Sequence, residues 1–117
     1  MGDSIYKVDT EGRITILALT MDDITMYQTE EFKKAFTALL DEGKTNIVLD
    51  LSDTSFISTI VIASFVFMLK RAKEAGGNLV ICGVKDKVKE VLNITNLDRM
   101  FDMFDDRQKA ISELAKK

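Results

Sequence analysis

The chain has 117 residues, 46% apolar and 30% charged, and its 16 lysines and arginines against 19 acids leave a formal charge of −3. That length suits one domain, 1–117, whose core needs no metal or disulfide, and the acid surplus argues against direct contact with nucleic acid. Histidine is absent and Cys82 is the single cysteine, which excludes serine–histidine and cysteine–histidine hydrolases, histidine-ligated metals and thiolate cages.

Met1-Gly2-Asp3-Ser4-Ile5-Tyr6 opens like a myristoylation site, but Tyr6 stands where serine or threonine is required. A basic stretch leading into an apolar run, the mark of a signal peptide, is missing. The longest apolar stretch, 60–69, is ten residues with Ser64 inside it, against about 20 for a membrane span. A cytoplasmic location without membrane insertion is expected.

Residues 4–9 alternate apolar and polar as a half-buried strand does, Glu11-Gly12-Arg13 turns, and 14–19 resumes the strand, giving a hairpin. After a polar stretch, 20–26, Phe32, Phe36, Leu39 and Leu40 recur at helical spacing from about Thr29 to Glu42, with Gln28 or Thr29 at the start and Gly43 as the stop. Residues 46–51 are nearly all apolar, as in a strand buried on both faces. A loop, 52–57, leads into a second helix from Ser58 to Ala75, which closes on Lys70, Arg71 and Lys73 before Gly76-Gly77. Another buried strand, 78–83, a third helix, 85–92, a short edge strand, 100–104, and a last helix, 105–117, complete the chain. The predicted order β-β-α-β-α-β-α-β-α is an α/β fold, a mixed sheet flanked by about four helices with right-handed crossovers between parallel strands.

Little in this pattern supports catalysis. Cys82 sits mid-strand among Val80, Ile81 and Val84 and reads as a structural thiol. No glycine-rich phosphate loop occurs, so no cofactor or metal is expected. Asp22-Asp23 and Asp50 resemble the acids of a receiver domain, yet one helix rather than a strand and a helix separates them, and the opening hairpin does not fit a βα repeat. As loop acids ahead of a helix, Asp22 and Asp23 need no further explanation.

The segment from Val48 to Ile60 is more telling: a buried strand, a hydroxyl-rich loop, then a helix opening on Ser58 and Thr59. Ser58 is placed to cap that helix, worth about 1 kcal/mol. A helix start also suits a phosphate, which would add about −2 charge to its surroundings without unfolding the domain. The helix that follows has one polar residue between 60 and 69, so its far side needs cover from neighbouring elements or from a partner.

Taken together, the opening hairpin, Ile47-Val48-Leu49-Asp50-Leu51-Ser52, Phe56, the long second helix, Gly76-Gly77, Leu79-Val80-Ile81-Cys82-Gly83, Asn93-Ile94-Thr95-Asn96-Leu97 and Met100-Phe101 resemble a STAS domain, the fold of bacterial anti-sigma factor antagonists and sulfate-transporter tails. The resemblance implies a regulatory protein, not an enzyme, that binds an anti-sigma factor, often a serine/threonine kinase, until phosphorylation breaks the complex. The antagonists' aspartate-serine-serine-glycine-leucine loop falls on Ser58, Thr59, Ile60, Val61 and Ile62, which puts the phosphoacceptor at Thr59, with Ser58 the second choice. Ser58 replaces the aspartate and Val61 the glycine, while a second acid of the family falls on Thr25. The implied docking face comprises Asp22, Asp23, Thr25, Ser58, Thr59, Ile60, Val61 and Ser64, and a homodimer through the apolar helix is compatible with it. The alternative is an unphosphorylated STAS scaffold in a signalling or lipid-transport assembly.

Overall fold

The computed structural model describes residues 5–116. Met1–Ser4, where the myristoylation and signal-peptide readings fall, and Lys117 lie outside them.

A hairpin opens the fold: β1 (Tyr6–Glu11) and β2 (Ile14–Leu19) pair antiparallel, with Glu11 opposite Ile14 across a two-residue turn. The chain then forms β3 (Asp23–Ile24), α1 (Met26–Asp41), β4 (Asn46–Asp50), β5 (Phe56–Ile57), α2 (Thr59–Glu74), β6 (Asn78–Cys82), α3 (Asp86–Ile94), a 3-10 turn at Leu97–Arg99, β7 (Met103–Phe104) and α4 (Arg107–Ala115). Five strands make one sheet in the order β1-β2-β4-β6-β7, parallel after the opening hairpin. The predicted mixed sheet and its four helices are present.

Central strands β4 and β6 are buried on both faces because helices cover both. On one side α1, α2 and α3 pack Phe32, Phe36, Phe65, Met68, Val88 and Leu92 against Leu17, Leu49 and Ile81. On the other, α4 sets Ala110, Ile111 and Leu114 on Ile16, Val48 and Val80. Helices α1 and α2 end in the same way. Gly43 and Gly76 take φ of +84° and +89°, and the next residues, Lys44 and Gly77, donate back to Leu39 and Ala72 at 2.9 Å, a Schellman closure.

Four expectations need correction. Strand β1 is exposed over Lys7–Glu11 rather than half-buried, because it is the sheet's edge. The polar stretch and the loop before α2 are not wholly irregular: β3 and β5 pair parallel as a separate two-stranded sheet, Asp23 opposite Phe56 and Ile24 opposite Ile57. Helix α1 starts at Met26, capped by Thr25, about a turn before the expected place. Strand β7 is two residues long, since Phe101 turns into the core.

Candidate functional site

The β3–β5 pair brings the two acids of the first loop to the start of α2. Ser55 and Phe56 donate their backbone N–H groups to the Asp22 carbonyl at 2.8 and 3.0 Å. The Ser55 hydroxyl donates to Asp22 Oδ1 at 2.6 Å, and Lys85 Nζ reaches Ser55 Oγ at 3.3 Å. Deeper in the same joint the buried Thr54 hydroxyl donates to the Met21 carbonyl at 2.8 Å. Two loops far apart in sequence are thereby held as one rim.

Ser58 caps α2, its hydroxyl accepting from Val61 N–H at 3.4 Å, which is the role its position predicted. Thr59 is the first helical residue and is exposed. Thr25 caps α1: its N–H donates to Gln28 Oε1 at 2.8 Å, and its hydroxyl bonds the same oxygen, half of a capping box. Asp22, Asp23, Thr25, Ser58, Thr59 and Ile60 therefore all lie on one exposed rim.

Val61 and Ser64 do not. Helical phase turns both inward, Val61 fully buried and Ser64 nearly so, its hydroxyl donating to the Val61 carbonyl at 2.5 Å. The outward residues of this stretch are Ile60, Ala63 and Phe67. With Met26 and Tyr27 of α1, and with the largely buried Ser64 also in its lining, they form a groove of about 490 Å³. Ile60 is 57% exposed, Met26 54% and Tyr27 83%, an apolar strip beside the hydroxyl-bearing rim. Lys33 Nζ lies 4.9 Å from the Phe67 ring centroid at its far end. Met26, Tyr27 and Phe67 were not singled out from the sequence. The Thr25-x-x-Gln28 spacing, which fixes the phase of α1, was the signal available for the first two.

Asp50 belongs to another arrangement, on the α4 side. Arg107 Nε and Nη2 both donate to its Oδ2, at 3.0 and 2.8 Å, while the Ser52 N–H and hydroxyl fill Oδ1 at 2.9 and 2.5 Å. Burial pushes this carboxyl up, but the Ser52 hydrogen bonds and Arg107 outweigh it, and the acid sits below its ordinary value. Both oxygens are occupied by the fold, so Asp50 is a structural acid and not a receiver-type phosphoacceptor. Cys82, its neighbour across β4 and β6, is fully buried, and burial followed by the Asp50 charge pushes its thiol up to about 12. That is the environment of an inert thiol. Among the described residues no cluster of acids and cysteine is arranged to hold a metal, and no helix is long and apolar enough to cross a membrane.

The STAS domain model matches residues 6–110. A candidate anti-sigma factor antagonist of Thermotoga maritima is 29% identical over 113 residues, 96% of this chain and 97% of that one. The crystal structure of a candidate anti-sigma factor antagonist from the same species superposes with a TM-score of 0.84 at 28% identity, covering 94% of both chains. The anti-sigma-B factor antagonist of Staphylococcus aureus is 24% identical over 95 residues, 81% of this chain and 79% of its own length.

Proposed function

Because the chain belongs to the STAS domain family, we propose that it is an anti-sigma factor antagonist, acting by docking rather than by catalysis and switched by phosphorylation of Thr59. The observation that carries this reading is the exposed Thr59 at the first residue of α2, next in sequence to Ile60 of the apolar strip and to Ser58, which lines a shared surface recess with Asp23. An anti-sigma factor with serine/threonine kinase activity is the partner such a face suits, since one surface would serve as both ligand and substrate.

The position explains why phosphorylation would switch binding without breaking the fold. A phosphate on the first residue of a helix lies near unpaired amides and the positive end of the dipole, so the domain tolerates it. The same phosphate adds about −2 charge beside Asp22 and Asp23 and hydrates a surface that docking must dry. Ser58 is the poorer acceptor, because its hydroxyl is used as the cap of α2.

The test is a paired capture with wild-type and Thr59→Glu protein as baits against the source organism's lysate, with bound proteins identified by mass spectrometry. Thr59→Glu is expected to lose a kinase-type anti-sigma factor that the wild type retains, with thermal midpoints within about 2 °C of each other. Equal capture of that partner by both baits would instead favour a constitutive STAS scaffold, docked through α2 irrespective of the charge at Thr59.

A further inference from the structure

We propose that the open edge of β1 is a self-association surface, where a second copy of this chain pairs antiparallel and continues the sheet. Among the described residues β1 has a strand neighbour on one side only, and Lys7–Glu11 are exposed. Glu11 and Ile14 face each other across the two-residue turn, and Thr20 N–H donates to the Ile5 carbonyl at 2.9 Å. Both facts put the odd-numbered residues of β1 in hydrogen-bonded pairs with β2. The backbone N–H and C=O groups of Tyr6, Val8 and Thr10 therefore point to the open side.

A strand is its own partner only if its side chains match when it is reversed. Centred on Val8, an antiparallel copy sets Val8 against Val8, Tyr6 against Thr10, and Lys7 against Asp9, the last pair occurring twice by symmetry. Those charge pairs fall in the non-hydrogen-bonded positions, where facing side chains lie closest. They also fall on the α4 side of the sheet, because Asp9 is opposite Ile16 and its carboxylate lies 3.8 Å from Arg107 Nη1. On the other side, Val8, 44% exposed in the monomer, meets its symmetry mate. Charged residues on an edge normally deter pairing; here their alternation deters most strands and accepts this one. The Thr10 N–H, which donates to Asp9 Oδ1 at 2.9 Å, would exchange that bond for a Tyr6 carbonyl of the second copy and leave Asp9 to Lys7.

The contact is smaller than the roughly 1,200 Å² of a stable interface, so the association is weak and reversible. Sedimentation equilibrium of the full chain between about 10 µM and about 1 mM reads it directly. The expected result is a monomer–dimer equilibrium that Val8→Pro, which deletes an amide facing the open edge in each copy, and Lys7→Asp, which sets acid against acid, each weaken at least about tenfold. The double exchange Lys7→Asp with Asp9→Lys should recover part of the affinity that Lys7→Asp loses, since the reversed pairs are again opposite in sign, though Asp9→Lys also gives up the contact with Arg107. Circular dichroism confirms that each variant is folded. A monomer throughout the range overturns the proposal, as does a dimer indifferent to Val8→Pro, which would lie elsewhere, for example on the α1–α2 groove.

Discussion

At the scale of single residues, the fold's most exacting requirement is the Asp50–Arg107 pair. The Asp50 side chain is 6% exposed and has all its bonds within the protein, while the Arg107 side chain is 37% exposed. Removing one partner of a fully buried pair costs about 3–5 kcal/mol, and the solvent at Arg107 trims the expected loss for Arg107→Ala to about 1–2 kcal/mol. The pair also links stability to pH. The Asp50 carboxyl is held below its unfolded value, so its contribution is complete above about pH 4 and fades as pH falls through the lower folded value. Urea midpoints measured down that range should therefore fall more steeply for wild type than for Asp50→Asn. Arg107→Ala, in which the Asp50 carboxyl is held down less, should likewise show a shallower acid loss than wild type. Parallel profiles for all three proteins would dissociate this carboxylate from acid stability. The partnership itself is not legible in the sequence: Asp50 falls within the apolar run 46–51 and Arg107 near the start of the last predicted helix, and only the fold places α4's first turn over β4's end.

Among the elements, helix ends and buried strands were readable because their signals are local. Ser58 as a cap, Gly43 and Gly76 as stops and the continuous apolar runs of β4 and β6 each need only a few adjacent residues. The β3–β5 pair was not, since two-residue strands have no period and their pairing joins residues more than 30 positions apart. The inward turn of Val61 and Ser64 was available in principle. Given Ser58 as the cap, Val61, Ile62, Phe65, Met68, Leu69 and Ala72 follow helical spacing on one face, but the uniformly apolar sequence masks which face that is. Gly77 shows an element boundary set by contact rather than by backbone conformation. A Cβ there would lie 2.0 Å from the Thr45 carbonyl oxygen and 2.4 Å from its carbon, where α2 turns into β6 and Asn78 N–H donates to that same carbonyl at 3.0 Å. Backbone atoms cannot rotate away, so Gly77→Ala should destabilise by about 1–3 kcal/mol. Chemical denaturation of this variant checks the figure; a change under about 0.5 kcal/mol would mean that the α2–β6 junction moves freely.

For the whole molecule, the two sheet faces differ in kind. The α4 face is closed by a short helix and an ion pair. The opposite face carries three helices and, at the junction of α1 with α2, the apolar groove and the hydroxyl rim. In the proposed docking, an apolar strip bordered by acids and a capped helix start would dry at its centre and keep charge at its edge, the strip supplying affinity and the border control. Ile60 is the residue that separates these roles, adjacent to Thr59 yet uncharged and 57% exposed. Ile60→Ser should therefore weaken capture of the anti-sigma partner by about tenfold or more, with unfolding stability within about 0.5 kcal/mol of wild type. Gln108→Ser, exposed on α4 across the sheet, is the matched control and should leave capture unchanged. Raising salt distinguishes the two mechanisms further: the Thr59→Glu defect should shrink as charges are screened, whereas the Ile60→Ser defect should persist. If the Ile60→Ser defect also vanished with salt, the groove would be a bystander and the rim alone would carry the docking.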